Sequence, residues 1–236
     1  MRNFNNQPPE AKVRREELDL HSWFDTIQGE GPFTGQRAMF IRLAGCNIQC
    51  PGCDTEYTNG RKLHSVDVIT EMLATYVHPM CKLFVITGGE PFRQSAATSL
   101  ILALIAKTEC KIQVETNGVF GIPQDLWHFL GNPLHVVVSP KTSRIHESCA
   151  RASAFKYVID HKSVRDEDGL PILALGHRAQ PYIARPPHGF DGPIYVNPAD
   201  ERNPVADKAN LVAARDSAFR HGYILGVQLH KLVNVP

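Results

Sequence analysis

The chain has 236 residues, with 25 Lys and Arg against 24 Asp and Glu, a net charge of +1 and 43% hydrophobic residues. That length suffices for one sizeable α/β domain, and the balanced charge, with no basic block longer than Arg14-Arg15, argues against a nucleic-acid partner. No apolar run approaches the roughly 18 residues that span a bilayer, and the polar Met1–Pro9 start lacks the apolar core of a signal peptide. A cytoplasmic protein with no membrane partner is therefore expected.

Residues 1–20 read as an N-terminal arm, in which Pro8-Pro9 opposes regular structure. Residues 21–236 read as one domain. Met39–Leu43 has the pattern of a buried strand and runs into a loop with three cysteines. Ser65 caps a helix to about Val77, with Val66, Ile69, Leu73 and Val77 on one face. Lys82–Thr87 is a second strand, followed by a helix over about Gln94–Lys107. Lys111–Glu115 is a third strand. A short helix near Gln124–Leu130 precedes a fourth, Leu134–Val138. Phe155–Ile159 and Ile194–Val196 read as strands five and six. A helix over about Val205–Arg220 leads to an extended stretch, Ile224–Val233.

Strands alternating with helices at this spacing imply right-handed βαβ crossovers and a parallel sheet. The loops after the strands hold the unusual residues: the cysteine loop, Gly88-Gly89-Glu90-Pro91, Glu115-Thr116-Asn117-Gly118, Ser139-Pro140-Lys141 and Asn197-Pro198-Ala199-Asp200. In parallel α/β folds that strand edge is where ligands sit. About six mostly parallel strands are too few for a closed eight-stranded barrel. The expected fold class is therefore α/β, an open partial (β/α) barrel.

Cys46, Cys50 and Cys53 form a C-x3-C-x2-C array. Three thiolates this close can converge on one soft metal centre, one ligand short of a closed tetrahedral site. On a four-iron cluster they would leave one iron open. Cys81, Cys110 and Cys149 are dispersed and read as small core residues. Gly88-Gly89-Glu90-Pro91 closes a strand with two residues free to take positive φ, so the backbone can approach a ligand closely.

The cysteine array followed by Gly88-Gly89-Glu90-Pro91 resembles the radical S-adenosylmethionine superfamily. The segments Thr26-Ile27-Gln28-Gly29-Glu30-Gly31, Phe40-Ile41-Arg42-Leu43, Cys53-Asp54-Thr55, Glu115-Thr116-Asn117-Gly118, Ser139-Pro140-Lys141 and Gln228-Leu229-His230-Lys231 narrow the resemblance. Together they resemble the 7-carboxy-7-deazaguanine synthase family, over about Phe24 to the C-terminus.

That resemblance implies a radical S-adenosylmethionine catalytic domain that is a carbon–nitrogen lyase. A [4Fe-4S] cluster on Cys46, Cys50 and Cys53 would bind the methionine end of S-adenosylmethionine, and reductive C–S cleavage would give a 5′-deoxyadenosyl radical. The radical would take hydrogen from C6 of 6-carboxy-5,6,7,8-tetrahydropterin. Ring contraction and loss of ammonia would give 7-carboxy-7-deazaguanine, a queuosine precursor, with the cofactor regenerated.

The resemblance also implies residue roles. Gly52, Cys53, Asp54, Gly89, Glu90, Gly118, Ser139, Pro140, Lys141 and Asn197 to Asp200 (Asn197, Pro198, Ala199, Asp200) would contact the sulfonium cofactor. Ile27, Gln28, Gly29 and Thr116 would contact the pterin. Arg42 would meet the substrate carboxylate, Thr55 would ligate Mg2+, and Pro236, if the chain ends there, would offer a carboxylate. No side chain is assigned as catalytic, because the cofactor carries the radical chemistry. Implied partners are an electron donor such as a flavodoxin or ferredoxin, and a second copy in a homodimer. The sequence departs from the family pattern at Gly52, where many superfamily members have an aromatic residue, and at Asn197, where Gln is expected. Two alternatives are a glycyl-radical enzyme activase and a structural zinc or redox module. The latter would need a fourth ligand, and His64 is the nearest later Cys or His.

Overall fold

The computed structural model describes residue 5, residues 8–177 and residues 182–236. The strands, in chain order, are β1 (Glu17–Ile27), β2 (Arg37–Leu43), β3 (Lys62–Ser65), β4 (Leu83–Gly88), β5 (Lys111–Thr116), β6 (Leu134–Val138), β7 (Ala154–Ile159), β8 (Ile194–Pro198) and β9 (Ile224–Leu225). They form one sheet in the order β3-β1-β2-β4-β5-β6-β7-β8-β9. From β2 to β9 every pairing is parallel. β1 pairs antiparallel with β2 on one side and β3 on the other. The helices are α1 (Val66–Tyr76), α2 (Ala96–Lys107), α3 (Pro204–His221) and α4 (Leu229–Leu232). Two helix starts are fixed by side-chain caps. Ser65 accepts from the Val68 N–H at α1, and Asn203 accepts from the N–H groups of Val205 and Ala206 at α3.

The strands alternate with period two, and that alternation builds the site. One set of side chains joins the main core: Met39, Ile41 and Leu43 on β2, Phe84 and Ile86 on β4, Ile112 and Val114 on β5, and Phe155, Tyr157 and Ile159 on β7. Leu100, Ile101 and Leu104 of α2 pack into the same core. The intervening positions point the other way. Ala38, Leu83 and Val85 meet Phe33 in a small apolar cluster. Further along the same strands, the intervening positions Arg42, Thr87, Glu115, Lys156 and Asn197 line the cavities described below. One end of the inner face is closed by hydrocarbon, and the other, towards the C-terminal strand ends, is polar.

All six expected strands are present, as an open sheet with a mostly parallel core. The structure adds β1, β3 and β9 at its margins. Ile224–Val233 is not one extended stretch: only Ile224–Leu225 is strand, and Leu229–Leu232 is a helical turn. Its apolar residues alternate too irregularly to distinguish the two. The expected boundary at residue 20 falls inside β1, where Leu18 and Leu20 already belong to the core.

Candidate active site

Two cavities, each of about 170 Å³, open at the C-terminal strand ends. They share Glu30, Asp54, Thr55, Thr87, Glu115, Lys156 and Gln228 as lining, so one wall serves both.

The first cavity is walled by Cys46, Cys50 and Cys53, by Gly88-Gly89, by Thr116 and Asn117, by Ser139 and Lys141, and by Asn197, Pro198 and Asp200. Burial pushes the Cys46 and Cys50 thiols up to about 12 and raises Cys53 as well, so these sulfurs need a cation to become thiolates. Among the described residues no three His, Cys, Asp or Glu side chains converge tightly enough for a single metal ion. Three thiols lining one cavity suit a cluster, which places each sulfur on a different iron. A side chain at Gly89 is impossible without movement: its Cβ would lie 2.0 Å from the Gly45 carbonyl oxygen and 2.9 Å from the Cys46 Cβ. Gly88 has φ +136°, where side chains are disfavoured.

Asn197 is 2% exposed, and neither its amide oxygen nor its amide nitrogen has a hydrogen-bond partner among the described residues. Gly226 admits it, because a Cβ there would meet its Oδ1 at 2.3 Å. A buried amide left unsatisfied is costly, so this one fits a polar ligand in the cavity.

The second cavity is lined by Phe24, Ile27, Gln28, Phe40, Arg42, His230 and Pro236, besides the shared wall. The Arg42 guanidinium lies 5.0 Å from the centre of the Phe24 ring, and its Nε has no hydrogen-bond partner among the described residues. Burial lowers its pKa, with Asp54 and Glu115 opposing. An Arg held by an aromatic face with donors to spare is suited to a carboxylate. Glu115 anchors the shared wall. Its Oε1 accepts from Gln28 at 3.2 Å and Gln113 at 3.1 Å, and its Oε2 accepts from Thr87 at 3.2 Å. Lys156 lies 3.8 Å from Glu115 and also pairs with Glu30.

Most of the residues expected from sequence do line these cavities, but several stand behind them. Glu90 does not line either cavity. It is fully buried, and its carboxylate accepts from the Thr116 hydroxyl at 2.7 Å, the Asn117 N–H at 2.7 Å and the Phe92 N–H at 3.0 Å. Burial pushes it up to about 7, against those hydrogen bonds. Its observed contacts tie the β4 loop to the β5 loop. Gly52, Gly118, Pro140 and Ala199 also sit behind the walls: the Gly52 N–H donates to the Leu175 carbonyl at 2.8 Å, and the Ala199 N–H to the Ile159 carbonyl at 2.8 Å. Gly29 is set by packing, since a Cβ would lie 1.9 Å from the His230 Nδ1. Thr116 lines the first cavity and not the second.

Sequence reasoning assigned no role to Lys156, Glu115, Thr87, Asn117 or Gln228. A signal existed for Lys156, a lone cation inside the apolar strand Ala154-Phe155-Lys156-Tyr157-Val158-Ile159. A charge at such a position points to a buried partner.

The model of the Radical SAM superfamily matches residues 40–144. A 7-carboxy-7-deazaguanine synthase from Rhodospirillum rubrum is 38% identical over 230 residues, covering 93% of both chains. One from Rickettsia prowazekii is 30% identical, covering 92% of this chain and 88% of the relative. The crystal structure of QueE from Escherichia coli superposes with a TM-score of 0.61 at 21% identity, over 91% of this chain and 95% of that one, so the fold is shared. Identity of this extent over nearly the whole chain establishes that the protein belongs to the 7-carboxy-7-deazaguanine synthase family of radical S-adenosylmethionine enzymes.

Proposed function

We propose that this protein converts 6-carboxy-5,6,7,8-tetrahydropterin to 7-carboxy-7-deazaguanine, with the sulfonium cofactor in the first cavity and the pterin in the second. The observation that carries the reading is the shared wall. It puts a three-thiol cavity directly beside a pocket lined by a guanidinium whose Nε has no hydrogen-bond partner among the described residues. A [4Fe-4S] cluster with S-adenosylmethionine supplies a carbon radical able to take hydrogen from an unactivated C–H bond.

The chain's own residues do the rest. Cys46, Cys50 and Cys53 hold the cluster. The Gly88-Gly89 edge, Ser139, Lys141, Asn197 and Asp200 would surround the cofactor, and Asn197 would offer it an amide that has no hydrogen-bond partner among the described residues. Arg42 binds the pterin carboxylate, and Gln28 and Glu115 offer hydrogen bonds to the ring. Thr55 lines both cavities, and its hydroxyl would be a Mg2+ ligand there. Pro236 closes the second pocket; when it is the last residue, its carboxylate faces the ring. Ile48, Leu175 and Val158 give the first cavity its aliphatic lining. An electron donor such as a flavodoxin or ferredoxin, a homodimeric state and a cytoplasmic location belong to the same reading. Among the described residues, no helix is long and apolar enough to cross a membrane.

Anaerobically reconstituted protein given the pterin, S-adenosylmethionine, Mg2+ and reductant should form 7-carboxy-7-deazaguanine, detected by mass. No product from protein fully loaded with iron and sulfide would defeat the proposal.

A further inference from the structure

The cysteine loop, residues 44–61 between β2 and β3, contains no helix or strand. A loop of that length without secondary structure is uncommon and needs support from elsewhere. The strand-end loops supply part of it. The Glu90 N–H donates to the Gly45 carbonyl at 3.0 Å, the Gly52 N–H to Leu175 at 2.8 Å, and the Asn117 amide to the Asn47 Oδ1 at 2.8 Å. The stretch after Cys53 is tied to β1 through Glu56 and His21, 2.7 Å apart, and to the start of the loop by the Gly45 N–H donating to the Tyr57 carbonyl at 3.1 Å.

That stretch is gripped by the N-terminal segment. Asn5 is 2% exposed. Its Nδ2 donates to the Thr55 carbonyl at 2.7 Å, and its Oδ1 accepts from the Tyr57 N–H at 2.9 Å. The Asn5 carbonyl also accepts from the Gln49 Nε2 at 3.2 Å. On the other side of the thiols, the Glu10 N–H donates to the Cys46 carbonyl at 2.8 Å. The Glu10 carboxylate is anchored by Arg93 at 2.6 Å and Arg61 at 2.7 Å. It lies so close over Gly45 that a Cβ there would be 2.0 Å from its Oε2. Val13 completes the attachment, its N–H donating to the Arg93 carbonyl at 2.8 Å and its carbonyl accepting from the Ser95 N–H at 3.1 Å.

We infer that Asn5 and residues 8–13 form a strap across the cluster-binding loop, and that Asn5 and Glu10 are positioning residues for the three thiolates. The strap meets the main chain at Cys46 and again at Thr55 and Tyr57, on both sides of the ligands. With both ends of the loop fixed, the spacing of the sulfurs is set before the cluster arrives. The thiolates then part from iron only when the strap opens as well. This inference rests on the reading of Cys46, Cys50 and Cys53 as cluster ligands.

The test uses the full chain, reconstituted anaerobically, and follows iron release to a chelator together with the electron paramagnetic resonance spectrum of the reduced cluster. Asn5→Ala should release iron about tenfold faster than wild type, the order set by losing a pair of buried hydrogen bonds, and should alter the spectrum. Asn5→Asp keeps the acceptor facing Tyr57 and loses the donor facing Thr55, so its rate should fall between the two. It carries the comparison if Asn5→Ala does not fold. Arg14→Ala, an exposed arm residue, should match wild type. Wild-type release rates and spectra in Asn5→Ala or Asn5→Asp would overturn the inference, as would an equal acceleration in Arg14→Ala. Wild-type protein that takes up no iron and sulfide would defeat the cluster reading itself, which is a separate outcome.

Discussion

Lys156 and Glu30 stand 126 residues apart in the chain and form an ion pair in the wall shared by the two cavities. Their side chains are 10% and 16% exposed, so both charges are largely out of water. Burial by itself would raise Glu30. The charge and hydrogen bond of Lys156 outweigh it and hold the carboxyl at about 2. Burial would lower Lys156, but Glu115 and Glu30 raise it.

Loss of Glu30 leaves the buried Lys156 charge with only the more distant Glu115, 3.8 Å away, so Glu30→Gln should destabilise the fold at neutral pH by about 2 kcal/mol. The pH dependence has a definite sign. Glu30 is depressed from an ordinary 4.5 to about 2, so its contribution is complete above the unfolded value and is lost as pH falls through the folded one. Urea midpoints measured downwards from pH 4.5 should fall more steeply for wild type than for Glu30→Gln. Parallel curves would show that the pair carries no such linkage.

Arg42 has a donor to spare and a ring beneath it. Arg42→Lys keeps the charge but loses the planar fork, and should raise KM for the carboxylated pterin at least about tenfold while the protein still folds. Steady-state saturation curves read this directly. An unchanged KM would remove Arg42 from carboxylate binding.

Asn197 gives opposite expectations for stability and binding. Its amide is buried and has no hydrogen-bond partner among the described residues, so Asn197→Ala removes a cost from the ligand-free protein, which should melt no lower than wild type apart from lost packing. Affinity for S-adenosylmethionine should drop about tenfold. Calorimetric titration alongside thermal unfolding separates the two. Unaltered affinity would contradict the assignment.

Gly29 is constrained by a neighbour and not by its backbone angle. Its added Cβ would collide with the His230 ring at 1.9 Å, and its carbonyl accepts from the Leu229 N–H at 3.1 Å, seating α4. Gly29→Ala should therefore displace His230 from the second pocket and raise KM with a stability loss of about 1 kcal/mol. Adding His230→Ala should recover much of that stability. A double variant no more stable than the single would show that the clash is not the cause.

Much of this architecture was readable from residue patterns. β2, β4, β5, β6, β7 and β8 each carry an apolar run bounded by turn residues, and the loops after them hold the motifs that meet in the cavities. β1 was missed because Glu17–Ile27 places Asp19, His21, Ser22 and Asp25 among its apolar residues, as suits a strand that is only partly buried. The two-sided role of β5 was also hidden. Ile112 and Val114 face the helices, while Gln113 and Glu115 face the cavity network. Glu90 shows a different gap. Its motif marked the loop correctly, yet only coordinates reveal that its carboxylate binds the neighbouring loop.

The central claim is that a cofactor in the cysteine cavity reaches a pterin bound beside Arg42 across the shared wall. Turnover of 6-carboxy-5,6,7,8-tetrahydropterin deuterated at C6, with mass analysis of the recovered S-adenosylmethionine, tests that contact most directly. The account predicts 7-carboxy-7-deazaguanine as product and deuterium in the cofactor's adenosyl group. Product formed with no deuterium in the cofactor, or no product from a fully loaded enzyme, would contradict it.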